Sequence, residues 1–477
     1  MNIQKLIFIR NNYLYFIFLP LLLNFLANVY LSKENLLFTI LKNNFYFFSF
    51  VISSFTFYLL AKAINDALEL KSLSLSICYF LSSFFLLEFI FFPITSYSEI
   101  YIFNFKLSFK YIYVFVSIFW IALLFFKKIS IKRILILLFV YSFNLYFNRY
   151  NFEKISDLSN YIELNSDVPN QWLVIANQIY HQGLFHSFTN NFIAGQGLFL
   201  NHIQTTLFRF NFPLESFQFI RLNSLILLTF TVFLILDLNI TKNNKILLSL
   251  IYFVVIVNSD WLTYLFIDSL MLEGIVSFFF AVYVYKSKNY LNNKINKKSF
   301  LFYLFFSLLF FSKEFISTIV FLYMLFIFIY KKNINLLPAF LIFLLDKLYS
   351  SLYISSETLS AYIGGNSIFD LVINVLTFKN LDFSLITKII DEVMKDRIVS
   401  IIYILFFFSY FFKTKLNRDW FALSSFCLII INLLFIITLY ISWWKNVEVQ
   451  SSFRYILNTL HLIIISIGMN SKNITLK

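Results

Sequence analysis

Apolar runs long enough to cross a lipid bilayer recur from one end of this chain to the other, and that recurrence decides its class before any motif does. A spanning helix needs roughly 17 to 25 predominantly apolar residues, and backbone in hydrocarbon has to hydrogen-bond within the helix. Charged residues make up 13% of the 477, against about 25% in a soluble fold, so a globular domain with a single anchor is excluded. The expected fold class is all-α, a polytopic transmembrane helix bundle. Fourteen crossings are expected, near residues 11–31, 44–61, 72–97, 108–126, 131–147, 217–236, 246–258, 262–285, 299–312, 314–330, 334–353, 398–412, 420–442 and 453–469. As one helix, 299–330 would carry Lys313 and Glu314 at mid-bilayer, so a tight hairpin with "SKE" at the surface is expected instead. The N-terminal run lacks a small-residue cleavage site and reads as a retained first span.

Charge then orients the bundle. With fourteen crossings, "KKISIKR", "TKNNK", "KSKNYLNNKINKK", "YKKN", "FKTKLNRD" and both termini fall on one side, with most of the 38 Lys and Arg residues and few of the 24 acids. Basic excess marks the cytoplasmic side, so both termini are expected in the cytoplasm. The net charge of +14 is then a topology signal spread over short loops, which removes the case for a nucleic-acid partner. Cys78 and Cys427 both lie in apolar segments, and neither a disulfide framework nor a cysteine metal site is expected.

The same parity places residues 148–216 and 354–397 outside, together with most of the glycines and three of the four histidines. Long ordered loops more often carry function than simple connections do. Within the first, "SDVPNQWLVIANQIYHQGLF" starts at residue 166. Ser166 or Asp167 can cap a helix, Pro169 suits its first turn, and Trp172, Ile175, Ala176 and Ile179 recur at helical spacing before Gly183 ends it. Such a helix would lie along the membrane surface with Asp167 near its positive end. An acid there is ordinarily a cap. His181 and His186 are five apart, a rotation of about 140° on a helix, so with His202 they are expected as solvated loop residues rather than a zinc site. Trp172, Trp261, Trp443 and Trp444 fall near the outer boundaries and suit interface anchoring.

The wider order of motifs resembles the GT-C class of polyprenyl-phosphate-sugar-dependent glycosyltransferases, in particular the bacterial protein-mannosyltransferase and aminoarabinose-transferase type. The resemblance is carried by Asp167 in the first long outer loop, then "GQGLFL" and "FQFIRLNSLILL". It continues through "NSDWLTYLFIDSLMLEGIVSFFF" with Glu273 near a helix start, a short hairpin with Lys313 at its turn, and "WWKNVEVQSSFRYI" with Glu448, Arg454 and Tyr455. It covers roughly residues 131 to 469, departing from the family in the four crossings that precede it and in "DV" where an acidic pair is common. The organisation it implies is a four-span N-terminal extension (1–130), a GT-C-like core (131–353) with outer loop 148–216, a second outer loop (354–397), and C-terminal spans (398–477).

Inverting sugar transfer from a polyprenyl-phosphate donor is implied, at the outer face of a bacterial inner membrane, to a lipid, glycan or protein acceptor. The chemistry needs a carboxylate to take the acceptor's proton and cations to stabilise the leaving phosphate. Asp167 is the implied base, with Glu163 as the alternative. Arg454, whose planar fork matches phosphate oxygens, and Lys313 are the implied donor-phosphate ligands. Glu273, Glu448, Tyr455, Trp172 and His202 would line the substrate cavity. No cofactor is required, and a divalent metal is left open. The rival from another class is a transporter or flippase of lipid-linked sugars, for which Glu88 and Asp346 are the acids placed within spans; a noncatalytic scaffold is the third.

Overall fold

A computed structural model describes residues 36–96, 101–102, 105–106, 110–127, 129–155, 179, 197–211, 220–258, 273–291, 296–353, 377, 381–411, 419–442 and 450–470. Apart from an antiparallel ribbon of β1 (Tyr101–Ile102) and β2 (Phe105–Lys106), the regular elements among them are helical. Among the described residues, three helices are long and apolar enough to cross a membrane, over Phe48–Leu68, Leu73–Ile90 and Trp420–Ile441. Shorter apolar helices include Ile226–Asp237, Phe315–Lys331, Arg397–Tyr410 and Arg454–Met469. The chain divides into two compact units. One comprises residues 1–77, 117–168 and 207–270, the other 78–116, 169–206 and 271–477.

The first unit contains α1 (Leu36–Leu68), the start of α2 (Leu73–Ser96), the end of α3 (Lys110–Phe126), α4 (Ile131–Ile155), α6 (Ile220–Asp237) and α7 (Lys242–Asn258). Without a hydrophobic drive between helices in lipid, small residues and interhelical hydrogen bonds hold such elements together. Ser53 donates to Asn144 at 2.9 Å, the Ser54 and Thr229 hydroxyls hydrogen-bond at 2.7 Å, and the Phe57 ring meets Phe230 edge-on at 5.2 Å. Farther along α1, Asp66 pairs with Arg133 at 3.2 Å. Residue numbers that rise on α1 and fall on α4 make these two helices antiparallel. Helix α4 runs on to Ile155, past the crossing expected to end at 147.

Asp237, the last residue of α6, caps α2. Its carboxylate accepts from the Leu73 and Ser74 N–H groups at 3.0 and 2.9 Å and from the Ser72 and Ser74 hydroxyls at 2.7 and 2.5 Å. The N-terminal N–H groups of a helix have no partner within it, and one acid supplies two of them here. Glu69 and Lys71 both take left-handed backbone, each with φ of 53°, so that the chain turns from α1 into α2 within four residues.

The second unit holds the rest of α2, the start of α3, most of α5 (Leu198–Asn211) and all helices after α7. These are α8 (Glu273–Ser287), α9 (Lys297–Ser307), α10 (Glu314–Lys331), α11 (Leu337–Tyr353), α12 (Ser384–Lys395), α13 (Arg397–Phe411), α14 (Trp420–Ser442), α15 (Gln450–Ile456) and α16 (Leu460–Asn470). Stacked rings fill its centre, with Tyr283 on Phe306 at 4.6 Å and Tyr290 on Phe302 at 4.2 Å. The segment 297–331 folds as the expected pair of helices. A 3₁₀ turn, Leu308–Phe311, then Ser312 and Lys313, separates α9 from α10.

Candidate functional site

Four of the residues singled out in the sequence come together in the second unit. Glu273 stands in the first turn of α8, where the helix dipole favours an acid, and its side chain is 4% exposed. Arg454, on α15, brings Nε to 2.9 Å from Glu273 Oε1, an ion pair rather than an aligned hydrogen bond. The other carboxylate oxygen, Oε2, is also buried and has no hydrogen-bond partner among the described residues. Arg454 donates from a terminal nitrogen to the Tyr455 hydroxyl at 3.0 Å, and its guanidinium carbon lies 4.9 Å from the Tyr455 ring centre. The Lys313 ammonium lies 5.6 Å from the same centre, and Phe315 packs on that ring at 4.6 Å. Among the described residues, two cations therefore meet at a single tyrosine and one of them is paired with a buried acid, with the Arg454 side chain 13% exposed.

The turn that carries Lys313 is fixed by close backbone contact. Gly197, at the head of α5, has φ of +82°, and a Cβ there would stand 2.4 Å from both Lys313 N and Ser312 C. A glycine is required on both counts, conformation and space. The expected surface turn is thus packed: Ser312 is buried and Lys313 half-buried.

Arg454 is carried by a broken helix. Residues Leu457–Thr459 form a 3₁₀ turn between α15 and α16. At the break, three side chains donate to the Ile456 carbonyl: Asn432 Nδ2 at 3.2 Å, the Tyr403 hydroxyl at 3.1 Å and the Thr459 hydroxyl at 3.4 Å. On the C-terminal side of the break, His461 N–H donates to Ser277 Oγ at 2.9 Å, and its Nδ1 lies 2.7 Å from the same hydroxyl. Glu273 meets Arg454 and, four residues on, Ser277 meets His461, so α8 and the broken helix run parallel.

A second polar pair lies elsewhere in this unit. His202 Nε2 stands 2.8 Å from Glu88 Oε2, with side chains 0% and 1% exposed. Phe85 meets the imidazole edge-on at 5.5 Å, and the Thr206 hydroxyl lies 3.4 Å from Nδ1. His202 is not the solvated loop residue that the sequence suggested. It lies inside α5, a helix whose residues 198–207 are all buried. Asp346, the other acid expected within a span, is on α11 beside Lys347 at 3.6 Å.

Asp167, Glu163, Trp172, Glu448, His181, His186, Trp261, Trp443 and Trp444 lie outside the described residues, as does the first expected span. Among the described residues, no group of three or more His, Cys, Asp or Glu side chains gathers as a metal site would. Compared with known proteins, the chain matches no family model, no curated protein and no solved structure.

Proposed function

We propose that this chain is an integral membrane glycosyltransferase with a GT-C-like core, transferring a sugar from a polyprenyl-phosphate donor at the outer face of a bacterial cytoplasmic membrane. The observation that carries the reading is the convergence of Arg454 and Lys313 on Tyr455, beside the buried Glu273. An acceptor oxygen or nitrogen attacks the anomeric carbon from the face opposite the phosphate. The bond from that carbon to the phosphate oxygen breaks with inversion, and the electron pair leaves on the lipid phosphate. Arg454 and Lys313 supply the cations that this leaving charge needs, and Asp167, with Glu163 as the alternative, receives the acceptor's proton. An ordinary aspartate, with pKa of about 3.9, takes that proton late, as the new bond forms. Glu273 holds the Arg454 fork in place. A GT-C core of fourteen crossings with cytoplasmic termini belongs to the same reading.

One observation favours the rival class. Glu88, on an apolar helix long enough to cross a membrane, forms a buried ionisable pair with His202, the kind of group that marks ion or proton pathways in transporters.

A transfer assay on purified protein in lipid nanodiscs, with a panel of polyprenyl-phosphate sugars and acceptors, tests the proposal. Wild type is expected to release free polyprenyl phosphate, and Asp167→Asn to lose turnover while retaining donor binding. Arg454→Gln is expected to lose roughly 100-fold or more, the usual cost of removing a group that stabilises leaving charge. Unchanged turnover in a folded Arg454→Gln protein would defeat the assignment. Donor movement across proteoliposomes without transfer would replace it with transport.

A further inference from the structure

Helix α12 has two apolar edges, and one of them faces the protein. At 100° per residue, Leu385, Ile389 and Val393 line one edge, and Leu385 and Ile389 are buried where α12 packs against α13, α14 and α15. Phe383, Ile390 and Met394 line the other and stay 54%, 52% and 54% exposed. Lys388, Asp391, Glu392 and Lys395 occupy the remaining arc, with Lys395 paired to Glu392.

Both ends of α12 are tied to apolar helices: α14, long enough to cross a membrane, and the shorter α13. Asp382 N–H donates to Ile441 O at the end of α14 at 2.9 Å, and its carboxylate caps α12 through the Ser384 N–H and hydroxyl at 3.1 and 2.6 Å. Asp396 then caps α13, accepting from the Ile398 and Val399 N–H groups at 3.0 and 3.1 Å. On α13, Ile401, Ile404, Leu405 and Phe408 are exposed. The exposed edge of α12 therefore lies next in the chain to an apolar surface that a bilayer would cover.

We propose that α12 lies in the plane of the membrane, its Phe383, Ile390 and Met394 edge seated at the boundary between headgroups and acyl chains of one leaflet. Lipid is the occupant that fits. Three half-exposed side chains offer roughly 100 Å² each, far below the roughly 800 Å² per partner of a stable protein interface. Two lysines and two acids on the polar arc sum to zero, so the apolar edge seats the helix and attraction to anionic lipid does not. Because α12 packs on α15, this seating also fixes the depth of Arg454, at the level where a lipid phosphate would lie. The proposal does not depend on which reaction the site performs.

Nitroxide labels at positions 388, 390, 391 and 394, one at a time in the full chain with Cys427→Ala, test this by power saturation in nanodiscs. Cys78 is fully buried and can stay. One set of discs holds phosphatidylcholine alone and the other phosphatidylcholine with phosphatidylglycerol at three to one. Labels at 390 and 394 are expected to be accessible to oxygen and protected from a water-soluble nickel chelate, with the reverse at 388 and 391, identically in both lipids. Nickel access at 390 and 394 equal to that at 388 and 391 would put the helix in water and overturn the proposal. Shielding of 390 and 394 from both reagents would mean that protein covers the edge, and a pattern found only with phosphatidylglycerol would mean that charge holds it; either overturns the proposal.

Discussion

Replacing Arg454 by Met removes one partner of the Glu273 pair and leaves the other charge where water barely reaches it. The Glu273 side chain is 4% exposed and that of Arg454 13%, and breaking a buried pair from one side typically costs about 3 to 5 kcal/mol. The first-turn N–H groups and dipole of α8 still favour a carboxylate by about 0.3 to 1 kcal/mol. A loss of about 3 kcal/mol, at the lower end, is therefore expected for Arg454→Met. Glu273→Gln leaves the more exposed partner, which can recruit solvent, so its cost is expected at about 1 to 2 kcal/mol. The double variant carries no charge at this pair, and its loss should fall short of the sum of the single losses by about 2 kcal/mol. Stability can be followed by the reaction of Cys78, fully buried in the folded chain, with a fluorogenic thiol reagent on heating in a Cys427→Ala background. Arg454→Met costing less than about 1 kcal/mol, or single losses that simply add, would refute the reasoning. Turnover separates a second question: the double variant should regain stability without regaining transfer, since the cation is still absent.

Asp237→Ala strips two N–H groups and two hydroxyls of a charged acceptor and should cost about 2 to 3 kcal/mol. The same thiol assay checks it, and Asp237→Asn should lose less. Gly197→Ala sets a Cβ against the backbone of the Lys313 turn at a left-handed φ; a loss of at least about 2 kcal/mol and a fall in turnover are expected. Glu88→Gln keeps a hydrogen-bonding group beside His202 while removing the charge. Near-normal transfer in this variant agrees with a structural pair, whereas selective loss of donor movement in proteoliposomes would point to transport.

The helices were legible where apolar length alone decides them. The expected crossing at 420–442 coincides with α14, and that at 72–97 lies within a residue of α2 at each end. Ends set by polar residues were harder to read. Helix α1 continues to Leu68 through Lys62 and Asp66 because both can stay helical outside the apolar packing, and Asp66 meets Arg133 there. Glu273, Lys313, Arg454 and Tyr455, singled out by motif order, stand near one another in the fold, a matter of their positions and not of a role. His202 was misread because the segment from 148 to 216 was taken as one outer loop. Its partner Glu88 is 114 residues away, and no local pattern encodes such a pairing.

The break in the last helix shows what a local reading omits and why it matters to the site. A 3₁₀ turn weakens helical hydrogen bonding, and in an apolar environment an unsatisfied carbonyl is costly. The sequence "FRYILNTLHLIII" contains neither Gly nor Pro to announce the break. Support for it comes in part from 24 and 53 residues away, where Asn432 and Tyr403 donate to the Ile456 carbonyl. His461 and Ser277 anchor the C-terminal half of the helix, and Arg454 and Glu273 anchor the N-terminal half. Each half is thus held separately against α8, and the turn between them lets Arg454 reach its acid while His461 keeps its hydroxyl. Between the two anchors lies Asn458, fully buried, with neither end of its amide hydrogen-bonded among the described residues. An Asn458→Leu chain should fold at least as stably as wild type, since a buried polar group without partners gains from replacement by an apolar one of similar size. If it proves less stable in the thiol assay, the amide is engaged by a group such as bound water, and the polar seam along α8 is continuous from Arg454 to His461.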